Sequence, residues 1–320
     1  MHVEYNMDEK ELFIRMNNLR GYFAIVVLLS HIWGYTGMSI LVPFNKMVTI
    51  AVAMFFFLSG YGMIRSYSRK ENYIKEIFTV KIPYLCFMAV TAYLFSAVME
   101  IIVKLSSVEK YNFLPLGVGR FIYSTNWYVY ELLGFYVLFA LVMKFIKKRY
   151  QLIVILGVSI AAFVILYKAD VVEAYYNSII GFWFGMLCGK YQATEIVDQH
   201  KKGWLLGSLI LVGAFGGMFI LDRESMIFAV IRNFAAVGAM VLVLYMIRYI
   251  DVNDKFSRYL SKISPEIYFY HMPIALLLSQ TIKDQMVFSA VVVVLTFLIA
   301  PLINIVDQQV HTKIKYISGV

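Results

Sequence analysis

The fold this sequence predicts is an all-α, polytopic membrane bundle, and three observations predict it. The 320 residues are 61% hydrophobic and 15% charged, whereas soluble domains carry about a quarter charged residues. The apolar residues fall in blocks of about 17–22, the length needed to cross a hydrocarbon core. Lys and Arg cluster in alternate connections between those blocks, as they do when successive loops face opposite sides of a membrane. The mean hydropathy is +0.72.

Ten spans are expected, over residues 19–36, 47–64, 82–103, 127–143, 151–167, 177–189, 204–221, 226–247, 264–280 and 286–306. With this count 21 of the 29 Lys and Arg lie on one side, seven lie on the other, and Arg232 falls inside a span. The positive-inside rule then makes both termini cytoplasmic. The same rule accounts for the net charge of +9 through cytoplasmic loops, so no nucleic-acid partner is expected. Residues 1–18 are polar and no small-residue cleavage pattern follows the first block, so that block is expected to stay as a helix. Cys86 and Cys188 both lie in apolar stretches; they suggest neither a disulfide framework nor a metal site. No soluble insertion interrupts the chain, which reads as a single domain, 1–320. No internal repeat of the transporter kind is evident. The longest outer connection, 106–126, is expected to form a lid or a short interfacial helix.

Ionisable residues at membrane depth are costly and mark function by default. Arg20 and His31 lie on the first span. Eleven residues at 100° each return to nearly the same helix face, about 16 Å apart along the axis. Arg20 sits at the cytoplasmic mouth and His31 in the outer half. The bland alternative is a snorkelling Arg and an unrelated core His. The fourth span opens with Asn126, Trp127 and Glu131, which places Glu131 about 6 Å below the outer end. At that depth it can orient His31, as carboxylates orient imidazoles, or it can be a wet or paired carboxylate near the headgroups. Trp127 alone suits an interfacial anchor. In the second span, Ser59-Gly60-Tyr61-Gly62 permits close approach of a neighbouring helix or of a ligand. Arg232-Asn233 in the eighth span suits a polar acceptor or a buried carboxylate. His271, in the ninth, reads as structural or acceptor-facing.

Taken together, these segments resemble one family. Asn18-Leu19-Arg20-Gly21 with His31 following, Phe55-Phe56-Phe57-Leu58-Ser59-Gly60-Tyr61, Trp127-x3-Glu131-x3-Phe135-Tyr136, and Ile263-Ser264-x3-Tyr268-x2-His271-x-Pro273 are similar, in order, to the signatures of the acyltransferase-3 family of membrane acyltransferases. The resemblance implies ten spans, acyl-CoA (acetyl-CoA by family habit) as donor, no metal, and a hydroxyl of a cell-surface carbohydrate or lipid-linked sugar as acceptor. It also implies a bacterial cytoplasmic membrane, a catalytic His31 and an essential Arg20. The family's R-x-x-R pair has only Lys81 to match its last position, in Phe78-Thr79-Val80-Lys81, and Lys offers a point charge where Arg offers a fork. The implied donor side is Arg20, Ser59, Gly60, Arg65, Arg69 and Lys81, with the pantetheine arm passing Gly60 and Gly62. The implied acceptor side is Asn126, Trp127, Arg232 and His271, with His31 as general base beside Glu131. The rival readings are a secondary transporter that uses the buried His, Glu and Arg as a relay, and a non-catalytic scaffold.

Overall fold

The structure, a computed structural model, describes residues 8–106, 127–222 and 225–319. It is 86% helical, with no strand among the described residues. In chain order the helices are α1 (Glu9–Asn18), α2 (Arg20–Thr36), α3 (Val42–Arg69), α4 (Tyr73–Glu76), α5 (Ile82–Ser106), α6 (Trp127–Phe145) and α7 (Gln151–Lys168). They continue as α8 (Ile180–Lys190), α9 (Ala193–Gln199), α10 (Gly203–Ile220), α11 (Met226–Met246), α12 (Lys255–Lys262), α13 (Ser264–Thr281) and α14 (Gln285–Ser318). A π-helical turn, Ile77–Lys81, joins α4 to α5. It lies just before Pro83, which has no N–H to give the preceding turn.

Each of the ten expected stretches has a helix as its main part. Among the described residues, seven helices are long and apolar enough to cross a membrane: Glu9–Thr36, Ser39–Arg69, Tyr73–Met99, Trp127–Phe145, Gln151–Lys168, Met226–Met246 and Gln285–Ser318. The other three expected spans fall short for separate reasons. The helix α8 has only 11 residues. The helix α10, Gly203–Ile220, is apolar to its end, and only Gly203–Met218 of it is described in full. In α13, Ser264, Glu266, His271 and Gln280 dilute the hydropathy over 18 residues.

The chain divides into two compact units. One comprises residues 1–23, 49–73 and 137–261. Its core gathers Leu12 and Met16 of α1, Met54, Phe57 and Tyr61 of α3, Cys188 of α8, and Met240 and Leu244 of α11. The helix α1 is capped by Asp8, whose Oδ1 accepts from Glu11 N at 2.6 Å, and it turns an apolar face inward. Two of its charges do structural jobs. The Arg15 guanidinium donates to the carbonyls of Ile247 (3.3 Å) and Ile250 (3.4 Å) just past α11, where a helix end leaves acceptors without helical donors. Glu9 accepts from Ala193 N and Thr194 N, both at 3.1 Å, and from the Tyr61 hydroxyl. It thereby caps the start of α9.

Within this unit α3 and α8 meet along a glycine seam. A side chain at Gly60 would strike the Phe182 carbonyl, and one at Gly185 the Phe57 carbonyl. Gly181 faces Ala53, and Gly189 faces Ile64 and Tyr61. Glycines at intervals of four let two backbones touch and exchange dense van der Waals contact where lipid gives no hydrophobic drive. Ahead of α8 the chain from Glu173 is not α-helical, and side chains supply what the backbone lacks. Asn233 Nδ2 donates to Tyr176 O (3.0 Å) and its Oδ1 accepts from Ile180 N (3.4 Å).

The second unit comprises residues 24–48, 74–136 and 262–320. Here α13 packs against α5 and α14. It presents two polar faces, one with Tyr268 and His271 and the other with Glu266 and Tyr270. Tyr270 Oη donates to Thr91 Oγ1 on α5 at 3.1 Å.

Candidate active site

Two histidines 240 residues apart in sequence meet in the second unit. His31 Nδ1 lies 2.6 Å from His271 Nε2, and the rings meet edge to edge, nearly coplanar, with centroids 4.9 Å apart and planes 12° from parallel. The helix α2 that carries His31 is continuous from Arg20 to Thr36. It stops at Gly37, whose φ of 66° closes the last turn in the left-handed region that glycine enters without strain. On α13, Pro265 in the first turn suits a helix start.

The geometry orders the protons. His271 Nδ1 is 2.8 Å from the Ile267 carbonyl, which only accepts, so Nδ1 carries the hydrogen. In the neutral ring Nε2 is then an acceptor, and His31 Nδ1–H is the donor to it. That fixes one tautomer of His31 with its Nε2 lone pair open. His271 is 1% exposed, and its two nitrogens are engaged by the Ile267 carbonyl and by His31.

Glu131 belongs to the same group of side chains. Tyr128, one turn before it on α6, packs its ring 5.1 Å from Tyr268, and Tyr268 lies 6.4 Å from His271 edge-on. Both Glu131 carboxyl oxygens are buried and have no hydrogen-bond partner among the described residues. The expected Glu131–His31 contact is therefore not the one formed: His31 takes its Nδ1 partner from α13. Leaving a buried carboxylate without a donor costs several kcal/mol in general.

The remaining expected site residues divide sharply. Arg20, half-buried at the first residue of α2, keeps Nη1 3.1 Å from Asn17 Oδ1. Arg65 and Arg69 make no ion pair among the described residues. Lys81 stands 3.9 Å from Glu76 across the π turn. Ser59 turns its hydroxyl to the Phe55 carbonyl of its own helix at 2.9 Å. Gly60 packs directly against the Phe182 backbone, as close helix approach requires, whereas a carbon added at Gly62 would lie 3.6 Å from the Phe13 ring, an ordinary contact. Arg232 is bound to Glu173 at 2.5 Å and stacked on Phe228; it braces the non-helical segment before α8. Trp127 begins α6. Asn126 and the connection expected to form a lid or interfacial helix lie outside the described residues.

The family model for the acyltransferase domain of the acyltransferase-3 family matches residues 13–305. No curated protein and no solved structure matches the chain. With nearly all of its length matched by that one domain, and with helices long and apolar enough to cross a membrane several times, the chain belongs to the acyltransferase-3 family and is a multi-pass membrane enzyme that transfers acyl groups.

Proposed function

We propose that the protein moves an acyl group, acetyl foremost, from cytoplasmic acyl-CoA to a hydroxyl of an extracytoplasmic carbohydrate or lipid-linked sugar, in a bacterial cytoplasmic membrane. On this reading residues 1–320 work as one domain that crosses the bilayer ten times with both termini cytoplasmic. The alternation of Lys and Arg supports that topology.

The observation that carries the chemistry is the hydrogen-bond order Ile267 carbonyl, His271, His31, which leaves His31 Nε2 free. His31 Nε2 takes the proton from the acceptor hydroxyl as that oxygen attacks the thioester carbonyl. The C–S bond breaks, and the CoA thiolate recovers the proton from Nε2 as a thiol. While His31 is an imidazolium, its Nδ1–H bond to His271 and the Ile267 carbonyl dipole beyond favour the positive charge. The same free nitrogen also suits a route through an acyl-histidine. Glu131 receives a hydrogen bond from the acceptor, with Asn126 and Trp127 at the mouth of its helix. Arg20, Arg65 and Arg69 take the donor's phosphates, and Arg forks suit phosphate better than Lys.

Thiol release from acetyl-CoA by purified protein in liposomes, with a pool of sugar acceptors, tests the reading. Wild-type release that His31→Ala lowers by 10²-fold or more supports general-base catalysis. Equal release by both proteins contradicts it. Sugar uptake into the liposomes without thiol release would favour a transporter instead.

A further inference from the structure

The contact between α13 and α14 in the second unit holds a pair of acids that the acyl-transfer chemistry does not use. Glu266, on the α13 face turned away from His271, is 0% exposed, and Asp307 on α14 is 1% exposed. The two carboxyl groups lie within hydrogen-bonding reach of each other. Asn304, one turn before Asp307 and also buried, donates Nδ2 to Glu266 Oε1 at 2.9 Å and to the Lys262 carbonyl at 3.2 Å. That satisfies one oxygen. Glu266 Oε2 and Asp307 Oδ2 remain buried and meet no donor among the described residues.

Among the described residues no basic side chain forms an ion pair with either acid. The Tyr270 hydroxyl, on the same face of α13 as Glu266, is already bonded to Thr91. One turn past Asp307, the His311 ring packs against Tyr84, tilted by 48° with ring centroids 4.7 Å apart. It is surrounded by Lys81, Lys315 and Glu76, and Lys81 pairs there with Glu76. None of these cations forms an ion pair with Glu266 or Asp307 among the described residues. Two adjacent carboxylates, both buried and lacking a counter-charge, are not stable as a doubly charged pair. Intramembrane acids of this kind hold protons or coordinate cations.

We propose that Glu266, Asp307 and Asn304 form a binding site for one small monovalent cation, either a proton held between the two carboxyl groups or a sodium-sized metal ion. A shared proton gives each orphan oxygen a partner. A metal ion does the same through Glu266 Oε2, Asp307 Oδ2 and the side-chain carbonyl of Asn304, hard oxygen donors of the kind that alkali ions accept. Either occupant ties α13 to α14 across the face opposite His271.

Thermal melting of the purified protein at fixed ionic strength, in sodium, potassium or choline chloride, separates the two sources when paired with infrared spectra of the carboxyl region. A metal ion raises Tm by several degrees in one alkali salt over choline, and neither Glu266→Gln nor Asp307→Asn responds. A proton leaves Tm indifferent to the salt and gives a protonated-carboxyl band that each variant loses. Both variants are near-isosteric, and if neither folds, the same measurements on Glu131→Gln, which removes the other buried carboxyl without a partner, decide the matter. Absence of both the salt response and the band means that the pair carries two negative charges, and overturns the site.

Discussion

The α3–α8 seam and the neighbourhood of α13 are both buried, and they are built on opposite principles. Along the seam Gly60, Gly181 and Gly185 bring backbone against backbone, and the space is filled. Around α13 the side chains are large and polar, and Glu131, Glu266 and Asp307 keep buried oxygens without donors. The seam is what a chain does to hold helices together where lipid offers no hydrophobic drive. The polar neighbourhood is what it tolerates only where a proton, an ion or a substrate completes the bonding. A motif near the seam and a motif near α13 therefore mean different things, although both belong to the same family signature.

The largest effect that separates the two regions is expected at the seam. Gly185→Leu, and more mildly Gly60→Ala, should abolish or sharply lower the yield of monodisperse protein in size-exclusion chromatography, because each added carbon meets a backbone carbonyl. Gly134→Ala, with no atom within 4 Å of the added carbon, should shift stability by about 1 kcal/mol or less. A folded Gly60→Ala that only raised the KM for acyl-CoA would favour the donor passage at that glycine. In the polar region His31→Ala should fold normally and lose acyl transfer by 10²-fold or more. Glu131→Gln is expected to separate two readouts. The amide keeps the shape of the side chain, so Tm should stay near that of the wild type, while the loss of the acceptor contact should lower kcat/KM; unchanged activity would reduce Glu131 to structure. The smallest effect concerns Asp254, which caps α12 by accepting from Phe256 N (2.8 Å) and Ser257 N (3.0 Å). Hydrogen bonds from Ser257 hold its carboxyl below the usual range. A depressed carboxyl contributes stability above its ordinary pKa and loses it as pH falls through the lowered value. Asp254→Ala should therefore cost a slight drop in Tm near neutral pH, and none in strong acid.

Much of this was legible in the sequence. The apolar blocks lie on helices because twenty apolar residues in a row have no other way to satisfy their backbone in lipid. His31 and Glu131 were visible as charges too costly to be accidental. The His31–His271 contact was not, because it joins helices 240 residues apart and periodicity speaks only for one helix at a time. The role of Gly60 stayed open between helix and ligand, since a glycine marks close approach without naming what approaches. The signal for α1 was present in Asp8 and Glu11, a cap with its reciprocal acid, yet the stretch reads as a polar tail beside the apolar block. Asp307 fell one residue beyond the last expected span, whereas α14 runs on to Ser318 and keeps it inside the bundle.

The central claim is that His271 acts through His31, and a double-mutant cycle on acyl transfer tests it most directly. Single-turnover rates would be measured for His31→Ala, His271→Ala and the double variant, each checked for native Tm. The account predicts that His271→Ala lowers the rate by about ten- to a hundredfold and that the double variant is no slower than His31→Ala alone, as for residues that act as a unit. Losses that multiply would show two independent contributions, and would contradict an imidazole held in place by its neighbour.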